Sequence, residues 1–143
     1  MTITVIGTWD IGWNTPIKEA ELWQFALNEY AVDAWYMSPV SGIASGVLWL
    51  TEDAQMETRL TSEAAAGRTL VFVDENAAGE LETFAHPTNA CYVLGKTGFS
   101  PWTSLFDERR GDRAVKIPTT RNQGGFWPHQ AAALVLQDRF LQG

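Results

Sequence analysis

The chain has 143 residues, of which 45% are hydrophobic and 19% charged, and its formal net charge at pH 7 is −7. This composition excludes disordered and low-complexity classes, and the negative charge argues against simple non-specific binding of nucleic acid. The length fits a single domain over residues 1–143. No apolar run could span a membrane, and no secretory signal precedes the first apolar segment, so we expect a cytoplasmic protein.

The charge is divided unevenly along the chain. Residues 1–90 contain three basic and thirteen acidic side chains, a net charge of −10, whereas residues 91–143 contain seven basic and four acidic ones, a net charge of +3. We therefore expect an anionic ligand to meet the C-terminal third of the chain. The alternative is that these are ordinary solvated surface charges.

Short β-rich segments alternate with longer amphipathic ones. The spacing of apolar residues predicts strands over 2–7, 34–37, 69–73, 90–94 and 114–117, a short strand or turn over 47–50, and helices over 16–30, 51–66, 79–84 and 127–141. The 96–113 segment is predicted to be rich in loops. Strands that alternate with helices predict an α/β fold, in which a parallel sheet has helices on both faces.

Familiar catalytic motifs are absent from the sequence. It contains no phosphate-binding G-x-x-x-x-G-K-[ST], no G-x-S-x-G nucleophile motif and no dinucleotide-binding G-x-G-x-x-G. The only histidines, His86 and His129, are far apart in sequence and have no carboxylate at ligand spacing. Together with the single Cys91, this predicts that the protein has no metal site.

Two glycine-rich segments follow predicted strands, where open α/β sheets bind ligands. Gly95 and Gly98 follow the strand over 90–94 and would let a ligand approach the backbone closely. The 118–128 segment follows the strand over 114–117 and leads into a helix, whose free N–H groups favour an anion. Each segment could also be an ordinary turn between a strand and a helix.

The order of these segments resembles the SPOUT superfamily of RNA methyltransferases, in particular its small, single-domain SpoU-like members. The segments that carry the resemblance are an Asn14 loop before the first helix, HPTNA at 86–90, YVLGKTG at 92–98, AVKIP at 114–118 and QAAALVL at 130–136. The resemblance implies a C-terminal trefoil knot and S-adenosylmethionine as cofactor. It implies that the cofactor is bound by Val73, Leu94, Gly95, Gly98, Ile117 and Phe126.

The resemblance also implies a homodimer that methylates RNA, most commonly the ribose 2′-hydroxyl of a tRNA. Arg121 would orient an RNA phosphate through paired hydrogen bonds, and His129 would accept a proton. Asn14 would belong to the first motif of the site. The alternatives are an exposed loop charge for Arg121, an inert helix-start residue for His129 and a turn or cap residue for Asn14.

Three features depart from the SpoU-like pattern. The first helix lacks the usual arginine and has only Lys18 as a cation, Thr97 replaces a usual glutamate, and 126–130 replaces a Ser-Leu-Asn sequence. An alternative function is therefore a catalytically silent SPOUT-like module that binds S-adenosylmethionine, RNA or a protein. A third is an unknotted α/β nucleotide-binding enzyme.

Overall fold

A computed structural model describes residues 1–8, 16–38, 47–49, 53–74, 76–95, 103–120 and 126–143. The strands are β1 (Ile3–Thr8), β2 (Ala34–Ser38), β3 (Val47–Trp49), β4 (Thr69–Val73), β5 (Ala90–Leu94) and β6 (Arg113–Val115). The helices are α1 (Pro16–Glu29), α2 (Asp53–Ala65) and α3 (Pro128–Leu141), with short 3-10 turns at Leu81–Thr83, Thr103–Leu105 and Glu108–Arg110.

The six strands form one parallel sheet in the order β3-β2-β1-β5-β4-β6. Leu94 at the end of β5 lies beside Gly7 of β1 and Val73 of β4, and Val73 in turn lies beside Val115 of β6. These strands therefore end at one side of the sheet, which we call the carboxyl edge; the opposite side is the amino edge. The predicted α/β fold with a parallel sheet is confirmed.

Helices cover both faces of the sheet, as predicted. Side chains of successive strand residues alternate between the faces, so that Val5 and Tyr92 pack under α1 and α3, whereas Ile6 and Phe72 pack under α2. Among the described residues, no helix combines the length and apolar character needed to cross a membrane.

The helix boundaries follow from local sequence. Helix α1 begins at Pro16, whose missing N–H costs nothing in a first turn. Helix α2 ends before Gly67, which has a φ of +90°, and the Arg68 N–H donates to the Glu63 carbonyl across the helix end at 3.1 Å. Gly67 therefore has the helix-ending role that the sequence predicted.

The last strand is shorter than predicted, because Lys116 pairs with a different part of the chain. The Asp74 N–H donates to the Val115 carbonyl at 2.9 Å, whereas Lys116 bonds to Gly79 and Leu81, also at 2.9 Å. Successive carbonyl groups of an extended chain point in opposite directions. The connection from β4 to β5 therefore bonds to one side of the chain through Asp74 and to the other side through Gly79 and Leu81.

The same pairing changes the predicted helix over 79–84. Gly79 accepts from the Lys116 N–H, and Glu80 forms a parallel bridge with Lys116, so only a 3-10 turn at Leu81–Thr83 remains. The predicted loop over 96–113 also contains two 3-10 turns. The second of them is capped by the Asp107 carboxylate, which accepts from the Arg109 N–H at 3.0 Å.

Helix α1 lies directly against β1 at Gly7. The Trp23 side chain is fully buried and stacks on Trp35 with ring centroids 5.9 Å apart. A Cβ atom at Gly7 would lie 2.4 Å from a Trp23 ring atom and 3.0 Å from the Met37 sulfur. The glycine is therefore required by the close approach of the indole ring to the strand.

We expect Gly7→Ala to lower the free energy of unfolding by about 1–3 kcal/mol, because the added methyl group displaces the buried Trp23 ring. Urea unfolding followed by tryptophan fluorescence measures this. Gly79→Ala is the matched control, since its nearest atom would be the Ala114 carbonyl oxygen at 3.6 Å. Equal stability of the Gly7→Ala variant and the native chain would contradict this packing.

A polar network fixes the C-terminal end of α3 to the sheet. The His86 Nδ1 lies 2.7 Å from the Tyr92 hydroxyl, and its Nε2 lies 2.7 Å from the Asp138 carboxylate. The Arg139 guanidinium donates to the Tyr92 hydroxyl at 3.0 Å and to two backbone carbonyls of 87–88. A neutral imidazole protonated on Nε2 satisfies every partner, because it donates to the carboxylate and accepts from the phenol.

Burial, opposed by the Asp138 carboxylate, lowers the pKa of His86 below its ordinary value of 6.5. As the pH falls below 6.5, His86 is protonated in the unfolded chain before it is protonated in the folded protein. The free energy of unfolding therefore falls until the pH is below the pKa that His86 has in the folded protein. We expect His86→Gln, which keeps both hydrogen bonds, to reduce this loss by up to about 1.4 kcal/mol per pH unit. Urea unfolding of both proteins at pH 7 and pH 5 measures it. If the free energy of unfolding of the native chain and of His86→Gln depended on pH in the same way, the lowered pKa of His86 would be contradicted.

Candidate functional site

Five of the six predicted cofactor residues lie within the described residues, and two of them, Val73 and Leu94, are paired neighbours at the carboxyl edge. Leu94 is fully buried there, and Val73, Ile117 and Phe126 are half-buried and pack against the hydrophobic cluster that contains Leu94. Gly95 follows Leu94 directly and is also half-buried. The edge therefore presents partly exposed apolar side chains beside a glycine backbone.

Three other residues singled out in the sequence lie outside the described residues. They are Asn14 before α1, Gly98 after β5 and Arg121 after β6. Their roles stay predictions.

Helix α3 begins at this edge. Pro128 occupies its first position, and the Trp127 N–H donates to the Gln130 side-chain oxygen at 3.0 Å, which satisfies a group that the helix leaves free. The first turn contains His129, whose residue surface is 7% exposed. The helix thus places a buried histidine at the carboxyl edge, close in sequence to Phe126; its role as proton acceptor stays a prediction.

Glu19 is a feature of this edge that the sequence analysis did not identify. It lies in the first turn of α1 and is only 1% exposed, which is rare for a glutamate. Helices α1 and α3 both begin at the carboxyl edge and pack against each other. Glu19 precedes the buried Trp23 by four residues, and this spacing is the sequence signal that places it on the inner side of α1.

Two basic residues of the C-terminal third bind other parts of the protein. Arg110 bonds to the Asp112 carboxylate at 2.6 Å and to the Leu105 carbonyl at 3.0 Å, and this carboxylate raises the pKa of the guanidinium. Arg139 belongs to the polar network at the amino edge. Fewer basic side chains of the C-terminal third are therefore available to an anionic ligand than the sequence predicted. Lys116 directly follows β6 and is half-buried near the carboxyl edge.

The outer surface of α1 and α3 carries several exposed apolar side chains. Of the six large hydrophobic residues that are exposed in the described part of the chain, five lie on these two helices. They are Leu22, Phe25, Leu134, Phe140 and Leu141. We call this surface the α1/α3 layer.

Within the described ranges, no group of three or more histidine, cysteine or acidic residues could hold a metal ion.

The sequence matches no protein-family model and no curated protein. The structure is similar to the SpoU methyltransferase AviRb from Streptomyces viridochromogenes in complex with the cofactor AdoMet, with a TM-score of 0.72 and 14% identity over 99% of this chain and 57% of that one. The chain has the SpoU methyltransferase fold. The resemblance seen in the sequence is thus confirmed for the fold, and the chain spans less than two thirds of AviRb.

Two further solved structures are similar over a larger share of their own length. The A. aeolicus TrmH/SpoU tRNA modifying enzyme has a TM-score of 0.70 and 13% identity, covering 98% of this chain and 74% of that one. A protein described for the 2-OH methylation of C/U34 on tRNA has a TM-score of 0.69 and 10% identity, covering 99% and 92%.

Proposed function

We propose that the protein is an S-adenosylmethionine-dependent RNA methyltransferase that acts on tRNA, with a ribose 2′-hydroxyl as acceptor. The observation that carries this proposal is that Val73, Ile117 and Phe126 are half-buried and pack, in a fold similar to that of SpoU methyltransferases, against the hydrophobic cluster that contains Leu94. The solved relatives methylate RNA or bind AdoMet, as their descriptions state.

The residues at the carboxyl edge fit an adenosine. Val73, Ile117 and Phe126 offer half-buried apolar surface for a planar adenine ring, and the Gly95 backbone lies beside them without a side chain in the way. When bound, S-adenosylmethionine supplies a methyl group attached to a sulfonium. The chain's own residues would align the acceptor with that methyl group.

The proposed fold includes the trefoil knot. The hydrogen bonds of Val115 and Lys116 support it, because the connection from β4 to β5 lies on both sides of the chain at that point. After this point, the chain continues to α3, which packs against the central strands β5 and β1 and not outside the edge strand β6. The chain leaves β6 between two parts of the connection from β4 to β5 and then returns to the centre of the sheet. Such a path would take the C-terminal segment through the loop that this connection forms.

In this proposal His129 accepts the proton of the acceptor hydroxyl, and Arg121 orients a phosphate of the RNA. His129 lies in the first turn of α3 and is 7% exposed, so burial limits its contact with water. Asn14 precedes α1, whose first turn starts at that edge as well. These roles are the simplest that the sequence offers for proton transfer and acceptor positioning.

Calorimetric titration with S-adenosylhomocysteine tests the cofactor site. We expect saturable binding by the native chain, and about tenfold weaker binding by Phe126→Ala, because a half-buried aromatic contact to the adenine is lost. Phe106→Ala is the matched control, since this phenylalanine is also half-buried but packs against the hydrophobic cluster on the other face of the sheet. No measurable heat with the native chain would contradict the proposal.

Transfer of a radioactive methyl group to bulk tRNA tests the activity. We expect Arg121→Ala to lower incorporation at least about tenfold, because the bidentate contact to a phosphate is lost. Arg109→Ala, which removes an exposed cation from a 3-10 turn, should leave incorporation unchanged. If the native chain binds S-adenosylhomocysteine but transfers no methyl group, the silent binding module is favoured, in agreement with the net charge of −10 over residues 1–90.

We also propose that the protein is a homodimer that buries the α1/α3 layer. Exposed apolar patches of this kind mark interfaces between chains. Sedimentation should give twice the 15.9 kDa of one chain for the native protein, and Phe25→Glu should give a monomer, because a charge replaces a side chain that is 74% exposed in one chain. Thr61→Glu on the exposed side of α2 should stay dimeric. A monomeric native protein would contradict this arrangement.

A further inference from the structure

Glu19 lies at the level of the sheet where β1 and β5 end. Helix α1 runs back along β1, because the chain after it returns to the start of that strand, where the Asp33 N–H donates to the Ile3 carbonyl at 2.8 Å. Trp23 meets Gly7 near the end of β1, and β5 ends at the same level. Glu19 is one helical turn, about 6 Å, closer to the start of α1. Since helical side chains lean toward the N-terminus, its carboxylate lies near the strand ends.

The face of the sheet under α1 is the face that carries predicted cofactor residues. Val73 and Ile117 pack against the hydrophobic cluster on that face, which also contains the buried apolar residues of α1. Asp74 follows Val73, and Lys116 precedes Ile117, so the alternation of side chains along an extended chain places both charged groups on the opposite face. Glu19 belongs to α1 and therefore lies on the cofactor side of the sheet.

Two other acidic residues are buried in the described part of the chain, and both form ion pairs that stabilise the fold. Glu63 accepts from Arg68, and Asp112 is bonded to Arg110 at 2.6 Å. Glu63 belongs to α2 on the other face of the sheet, and Asp112 precedes β6 at the amino edge. Of the three, Glu19 is the one that lies beside the predicted cofactor site.

The charge of Glu19 suits a cation at this edge. Helix α1 begins here, and its dipole places partial positive charge at the first turn. This dipole favours the ionised carboxylate and would repel a sulfonium that came to the same place without a counter-charge. Because Glu19 is 1% exposed, water and salt screen its attraction for a bound cation only weakly.

We propose that Glu19 is the counter-charge of the sulfonium in the methyl donor, and that it favours S-adenosylmethionine over S-adenosylhomocysteine. The two molecules share the adenosine and the amino-acid end, and they differ by one methyl group and the positive charge on sulfur. Glu19 thus strengthens binding of the donor without strengthening binding of the product. This inference rests on the proposed function, because it requires that the cofactor binds at the carboxyl edge.

A series of three ligands separates charge from shape. The full chain is titrated calorimetrically, without RNA, with S-adenosylmethionine, with neutral S-adenosylhomocysteine and with sinefungin, which has an ammonium group in place of the sulfonium. We expect Glu19→Gln to weaken binding of both cations about tenfold and to leave binding of the neutral product within about twofold, because only the charge interaction is lost. Unchanged affinity for both cations would overturn the proposal.

Three further variants identify the charge as the cause. Glu19→Asp keeps the carboxylate and should bind both cations within about threefold of the native chain. Glu21→Gln, which is exposed on α1, and Asp74→Asn, which is half-buried after β4, should bind all three ligands as the native chain does. If Asp74→Asn lost the cations selectively, or if Glu19→Asp lost them as strongly as Glu19→Gln, the proposal would be overturned.

Failure of the proposed function gives a different result from failure of this inference. If the native chain binds none of the three ligands, the cofactor site and the role of Glu19 are both contradicted. If the native chain binds all three and Glu19→Gln weakens them equally, Glu19 acts on the fold or on a group that the ligands share, and only its role as counter-charge is contradicted. Binding of S-adenosylhomocysteine by Glu19→Gln also shows that the variant is folded.

Discussion

The architecture of the carboxyl edge depends on the backbone pairing of Val115 and Lys116 with two separate parts of the connection from β4 to β5. This pairing ends β6 early, replaces a helix with a short turn, and fixes the point from which the chain leaves the sheet toward α3. Since α3 then returns over β5 and β1, Phe126 and His129 come to the edge where Val73 and Leu94 end their strands. A few main-chain hydrogen bonds between distant segments therefore determine the composition of the candidate site.

Much of the fold could be predicted from the sequence because its signals are local. The near-continuous apolar runs at Thr69–Val73 and Ala90–Leu94 indicate strands buried on both faces, and such strands are parallel and flanked by helices. Pro16 and Gly67 mark a helix start and a helix end by their backbone chemistry alone. The rule that ligands bind where parallel strands end directed attention to the carboxyl edge, whereas the cofactor residues named there came from the family resemblance and stay predictions.

The remaining features could not be predicted because they depend on contacts between distant parts of the chain. Nothing near Lys116 in sequence indicates that its backbone pairs with Gly79. The charge count suggested that the C-terminal third is open to anions, but Arg139 is held by the Tyr92 hydroxyl and by main-chain carbonyls. The groove lined by Ile3, Glu29 and Leu136 exists only because the ends of α1 and α3 meet near Ile3, and no local pattern encodes that contact.

A crystal structure of the chain with S-adenosylhomocysteine tests the central claim most directly. The account predicts that the adenine lies against Val73, Ile117 and Phe126, and that the chain after Lys116 passes through the connection from β4 to β5. An adenosine bound elsewhere, or a chain that reaches α3 around the outside of that connection, would contradict the account.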